Sequence, residues 1–187
     1  MPPYPNINEV FVKKILSASG VAAVLLLTTA ACGGPSADEK KASASMAKAW
    51  DGTDATKARK ANNACIAEKW VAASGVDTLV KEKVLDKNFR AIGQAPPAKL
   101  GKTAAKDFGN AVADCYDIKA LKDDLKQSMQ GLDDKTVDAY ITCMDGIDRD
   151  LIAQAVADGK TGKTATNSKP MKDLEAVVKT CQEKVQK

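Results

Sequence analysis

Lys106-Asp107-Phe108-Gly109-Asn110-Ala111-Val112-Ala113-Asp114-Cys115 is matched further along the chain by Lys172-Asp173-Leu174-Glu175-Ala176-Val177-Val178-Lys179-Thr180-Cys181. In both decads the apolar positions stand seven, four and three residues before the cysteine. That spacing gathers them on one face of a helix, and the cysteine shares the face. Upstream of each copy stands a Gly-Lys-Thr-Ala tetrad, at 101–104 and at 162–165, and each copy follows an earlier cysteine, Cys65 and Cys143. The simplest reading is two tandem helical units, each with an early and a late cysteine.

The chain has five cysteines. Cys32 stands apart, leaving Cys65, Cys115, Cys143 and Cys181, an even number of the kind that forms lasting disulfides outside the cell. Four cysteines allow three pairings, and their spacing does not choose among them. The repeat does: pairing within units gives Cys65–Cys115 and Cys143–Cys181. Closing loops of these lengths is worth about 4 kcal/mol each in the chain-entropy picture. No Cys-x-x-Cys is present, so a thioredoxin-type redox motif and a zinc knuckle have no support.

The beginning of the chain explains the fifth cysteine. Lys13 and Lys14 precede an apolar run from Ile15 to Ala31, which ends in Thr29-Ala30-Ala31-Cys32-Gly33-Gly34. A positive region, a short apolar core and small residues before a cut form a secretory leader. The cysteine after two small residues adds a lipobox, in which Cys32 takes a diacylglyceryl thioether. Thr29 departs from the usual Leu three places before the cut. Two other readings compete: ordinary cleavage after Ala31, and an uncleaved anchor, for which the interrupted run is short. Residues 1–31 are thus expected to be a lipoprotein signal peptide. Residues 32–52 are expected to be the lipidated cysteine and a flexible tether, because GGPSADEKKASAS at 33–45 is rich in Gly, Ser and charge and lacks apolar periodicity. Residues 53–187 are expected to form the helical domain, with units at about 53–131 and 132–187.

Composition agrees with helices. Aromatic residues are 4% of the chain and the apolar content leans on Ala, Val, Leu and Ile, which suits closely packed small helices better than a β-sandwich. The net charge is +4, of which the leader carries about +1, and the charges are interspersed. No basic run is interleaved with aromatics, so nucleic acid is not an expected partner. Histidine is absent. That removes the commonest general base, any His metal site and the Ser-His and Cys-His nucleophile pairs.

The spacing predicts an all-α domain. A helix over 54–74 passes through Cys65 and Trp70 and stops at Gly75. Asp77 is placed to cap a helix carrying Leu79, Val80, Val84 and Leu85; Phe89 and Ile92 fall in a turn, and 93–101 is a loop around Pro96 and Pro97. A repeated helix at about 103–115 follows. Asp117 is placed to cap a helix with Ile118, Leu121, Leu125 and Met129, ended by Gly131. Asp133 caps another reaching Val156, with Gly146 as a potential break; 159–169 is loop, and the last helix follows Pro170. Trp50, Tyr116 and Tyr140 are expected at the core edge.

From Cys65 to Cys181 the chain resembles a class of uncharacterised exported proteins and lipoproteins of actinobacteria with cysteine-paired helical repeats. The resemblance is carried by Cys65, Ser74-Gly75-Val76-Asp77, Asp114-Cys115-Tyr116-Asp117-Ile118-Lys119-Ala120-Leu121, Gly131-Leu132-Asp133-Asp134 and Cys143. It implies export and this fold, and brings no catalytic residue or ligand.

No catalytic, metal or cofactor set is read from the residues. The Gly-Lys-Thr triplets lack the glycine a phosphate loop needs five places earlier, where Pro96 and Ala157 stand. Asp145, Asp148 and Asp150 lack calcium-loop spacing and are read as a solvated face; so are Asp123 and Asp124, whereas Asp133 and Asp134 are read as helix-start residues. The expected function is a lipid-anchored protein on the extracytoplasmic face of the cell membrane. Its domain would have a non-enzymatic binding or structural role toward an envelope protein, lipid or cell-wall component. The alternatives are a carrier of lipid or another small hydrophobic ligand and, behind it, a carboxylate-based enzyme.

Overall fold

A computed structural model of the chain describes residues 34–53, 55–129 and 131–185. Eight helices occupy them: α1 (Ala37–Trp50), α2 (Lys57–Ser74), α3 (Val76–Lys81), α4 (Lys102–Cys115), α5 (Lys122–Ser128), α6 (Asp134–Asp145), α7 (Arg149–Lys160) and α8 (Lys169–Val185). Among the described residues there is no strand; one isolated antiparallel bridge joins Leu85 and Ala91. The domain is all-α and stapled by two disulfides, Cys65–Cys115 and Cys143–Cys181.

Four helices, α1, α2, α6 and α7, start where a side chain satisfies a free amide group, whereas α3, α4 and α5 start without a side-chain cap. Ser36 and Glu39 form a reciprocal capping box at α1, Thr56 accepts from Arg59 N at α2, and Asp133 accepts from Thr136 N at α6. The long helix expected after Asp133 is two helices, broken at Gly146 and restarted by Asp148, which accepts from Asp150 N. Gly75, at φ +72°, both ends α2 and begins α3, a backbone conformation in which glycine meets no Cβ penalty.

One correction concerns the tether. The stretch from 33 to 45 was expected to be flexible, and the domain to begin at about 53. Instead α1 begins at Ala37 and belongs to the core, with Ala42 and Met46 fully buried and Trp50 nearly so. Its buried face is built from Ala42, Ser43 and Met46, too small and mixed to register as an apolar stripe.

The core has two clusters. The first joins α1, α2, α3, the turn after α3 and α4. Trp50, Trp70 and Phe108 meet at its centre, with Trp70 and Phe108 ring centroids 4.7 Å apart, and Trp70 Nε1 donates to Ala104 O at 3.0 Å. The second gathers Ile118, Val137, Tyr140, Ile141, Met144, Ile147 and Ile152 around Cys181. Between the clusters, α4 crosses α7 so closely that a Cβ on Gly109 would lie 2.2 Å from Ala153 O. Each disulfide staples two helices of one cluster, α2 to α4 and α6 to α8, with Cα atoms 5.8 and 5.6 Å apart, inside the range a disulfide spans.

The repeated decads therefore occupy parallel places, but unequally. In α4, Ala111 is buried on the first cluster. Its counterpart Val177 on α8 is 36% exposed, and Leu174, Val178 and Cys181 alone carry the inward face. The first helix is enclosed between α2 and α7, whereas the second lies on the outside of α6 and α7.

Gly109→Ala tests the crossing. A methyl group favours helix by about 1 kcal/mol, but here it meets a main-chain carbonyl, and overpacking of this kind costs about 1–3 kcal/mol. The expected net result in chemical denaturation is a loss of about 1–2 kcal/mol; a stabilised variant would refute the close contact.

Candidate functional site

Cys32 and the signal peptide expected at residues 1–31 lie outside the described residues. Gly34, Pro35 and Ser36 lead directly into α1. Among the described residues, no helix is long and apolar enough to cross a membrane. The other four site cysteines are brought together in pairs, in the pairing that the repeat implied.

Where α2 starts, a groove of about 410 Å³ is lined by Thr56, Lys57, Ala58, Ala61, Ala120, Asp123 and Asp124. Asp124, expected on a solvated face, is folded inward: its side chain is 9% exposed, accepts from Thr56 Oγ1 at 2.8 Å and pairs with Arg59 at 3.2 Å. It ties α5 to the start of α2. The helix after Asp117 is shorter than its apolar spacing implies. Asp117 accepts from Ala120 N in a turn, Ile118 is buried there, and regular helix begins only at Lys122.

Several other carboxylates are spent locally. Asp145 pairs with Lys119 at 2.7 Å, Asp148 caps α7, and Asp134 pairs with Lys126 at 2.9 Å. The Lys119 and Lys126 ammonium groups are held above their ordinary range chiefly by those hydrogen bonds. Asp158 accepts from Ser168 Oγ at 2.6 Å and from Lys163 Nζ at 2.8 Å, and these two bonds draw its carboxyl below the ordinary range. The second Gly-Lys-Thr triplet, at 162–164, thus supplies a lysine to a loop clasp; the first has Gly101 N donating to Glu82 at the start of α4. No group of three or more Cys, Asp or Glu residues suited to a metal ion occurs among the described residues.

Two buried features escaped the sequence reading. Lys160, expected in a loop, is the last residue of α7 and 8% exposed. Its Nζ donates to Pro96 O and Pro97 O at 3.2 and 3.0 Å and lies 5.4 Å from the Phe108 ring centroid, while burial lowers its pKa. Its own carbonyl accepts from Leu100 N at 2.8 Å. Lys160 is thus a latch that fixes the proline loop over α4. No periodicity announces it, because a long ammonium-tipped side chain at a helix end ordinarily reaches solvent.

The second feature is a tyrosine pair in the second cluster. Tyr140 was expected at the core edge but is 1% exposed. The hydroxyls of Tyr116 and Tyr140 are both buried without a hydrogen-bond partner in the protein, and Arg149 covers the Tyr116 ring at 4.7 Å. Burial pushes the Tyr140 phenol up to about 12 and raises that of Tyr116 too, with the nearby Tyr140 adding to the rise and Arg149 opposing it.

Comparison of the chain with known protein families, with characterised proteins and with solved structures finds no match.

The tyrosines set an alkaline limit. A phenol raised in the folded state contributes stability that is full below its unfolded pKa of 10.0 and is lost as pH climbs towards about 12. The third tyrosine is Tyr4, so the chain beginning at Gly34 carries only the buried pair. Its phenolate absorbance should stay flat through pH 10 and rise together with loss of helical circular dichroism. Ionisation near pH 10 with the helices intact would contradict the burial.

Proposed function

We propose that this chain is an exported lipoprotein, tethered through lipid on Cys32 to the extracytoplasmic face of the cell membrane. Its helical domain has a non-enzymatic binding or structural role toward an envelope protein, lipid or cell-wall component. The observation that carries this reading is the cysteine arrangement. The other four cysteines are consumed in two disulfides, which persist in oxidising compartments. Cys32 is the one left over from five, and it stands where a lipobox puts the acceptor thiol.

The shortness of the link supports the same reading. Cys32 precedes α1 by five residues, so a lipid there would hold the domain close to the bilayer. A diacylglyceryl group supplies the two chains that stable anchoring takes, without a protein span. The non-enzymatic part rests on the absent histidine and on polar groups that spend themselves on caps, clasps and ion pairs, such as Asp124 with Thr56 and Arg59.

Metabolic labelling with a fatty acid tests the anchor. The full chain should be labelled and should partition into the detergent phase, and Cys32→Ala should lose both properties. A labelled Cys32→Ala protein would overturn the assignment.

A further inference from the structure

The turn after α3 is a short hairpin with unusual backbone and a dense set of cations. Leu85 and Ala91 form its bridge, and Ile92 N donates to Val84 O at 3.0 Å. Lys83 and Phe89, at φ 57° and 59°, are the non-glycine residues with positive φ among those described, a conformation that costs energy and persists only where the surroundings enforce it. Between Lys81 and Arg90 the chain exposes Lys81, Lys83, Lys87 and Arg90. The two acids in this stretch are turned to internal work. Glu82 accepts from Gly101 N at 2.8 Å, and Asp86 accepts from both Asn88 N and Arg90 N at 2.8 Å.

The hairpin lies along α1, and its direction matters. Ala91 N donates to Ser45 Oγ, at the middle of α1, while Lys41 Nζ lies 5.9 Å over the Phe89 ring, one turn nearer the start of that helix. The tip, Asp86–Arg90, therefore points toward the end of α1 from which the chain leaves for Cys32. Lys40 and Lys41 are exposed at that end, with Asp38 beside them and Glu39 accepting from Ser36 N in the capping box. Four residues separate Cys32 from Ala37, so the five steps between them reach at most about 18 Å when fully extended.

We propose that this hairpin, with Lys40 and Lys41, is a docking face for the headgroups of anionic membrane lipids, on which the anchored domain rests. The proposal rests on the anchor at Cys32, which would hold the basic tip within reach of the headgroups. Two lysines in the sequence are too few for a polybasic patch; the fold adds the exposed Lys83, Lys87 and Arg90 to them, while Glu82 and Asp86 keep their charges but are half-buried against main-chain amides. Clustered Lys and Arg near a bilayer gain from its negative surface potential, and the gain fades within a Debye length. The short link gives that steep distance dependence its importance.

Vesicle flotation tests the face apart from the anchor. The chain beginning at Gly34 holds both core clusters and both disulfides and lacks Cys32. It should float with vesicles of phosphatidylcholine mixed with phosphatidylglycerol, much less with phosphatidylcholine alone, and binding should fall steeply as salt is raised. Lys83→Glu, Lys87→Glu and Arg90→Glu combined should weaken partition by at least about tenfold. Lys135→Glu, Lys172→Glu and Lys179→Glu combined, the same charge change on α6 and α8, should leave most of it. Circular dichroism checks both variants, and Gln replacements at the three hairpin positions give the same comparison if the reversal disturbs folding. Equal binding to neutral vesicles, insensitivity to salt, or equal loss in the α6–α8 variant would overturn the proposal. Fatty-acid labelling of the full chain is scored separately, so failure of the docking face and failure of the anchor are distinguishable.

Discussion

The crossing of α4 over α7, where Gly109 sits against the Ala153 carbonyl, is the constraint on which the rest of the domain depends. It makes α4 a helix with two working sides. One side sends Phe108, Ala104, Ala105 and Ala111 into the first cluster, and Ala113 near its end belongs to the second. Small residues permit this. A larger side chain at 109 would push the helices apart, open both clusters to water and draw Lys160 away from Pro96 and Pro97. The Ala-rich composition is thus a packing requirement of a helix that is approached from two directions.

The disulfides complete what packing begins. Several helices are short, α3 with six residues and α5 with seven, and helices of that length are marginal in isolation. Cys115 at the end of α4 holds α2, and Cys181 on α8 holds α6, closing sequence separations of 50 and 38 residues. The gain of each closure, about 4 kcal/mol in the entropic picture, is large against the net stability of a small domain. Cross-linking also explains why α8 tolerates a half-exposed inward face: its attachment does not rest on Val177.

Much of this was legible in the residues, because the cysteines, the repeat and the helix-start residues are local signals. The pairing, the break at Gly146 and the cap at Asp133 follow from them. The parts that escaped reading depend on the third dimension. α1 hides because its inward side is Ala42, Ser43 and Met46, although Ser36 and Glu39 already spelled a capping box. Asp124 and Lys160 look like surface residues until the folded chain brings Arg59 to one and two proline carbonyls to the other. The candidate anchor is the reverse case: Cys32 is legible only as sequence, while the basic hairpin beside α1 becomes visible only when residues 40–41 and 81–90 are brought together.

The most direct measurement of the two-unit architecture is peptide mapping of the native protein without reduction. The account predicts two linked peptide pairs, one joining Cys65 to Cys115 and the other joining Cys143 to Cys181, with no free thiol in the helical domain. A link between the units, such as Cys65–Cys143 or Cys115–Cys143, or four reactive thiols in the native protein, would contradict it.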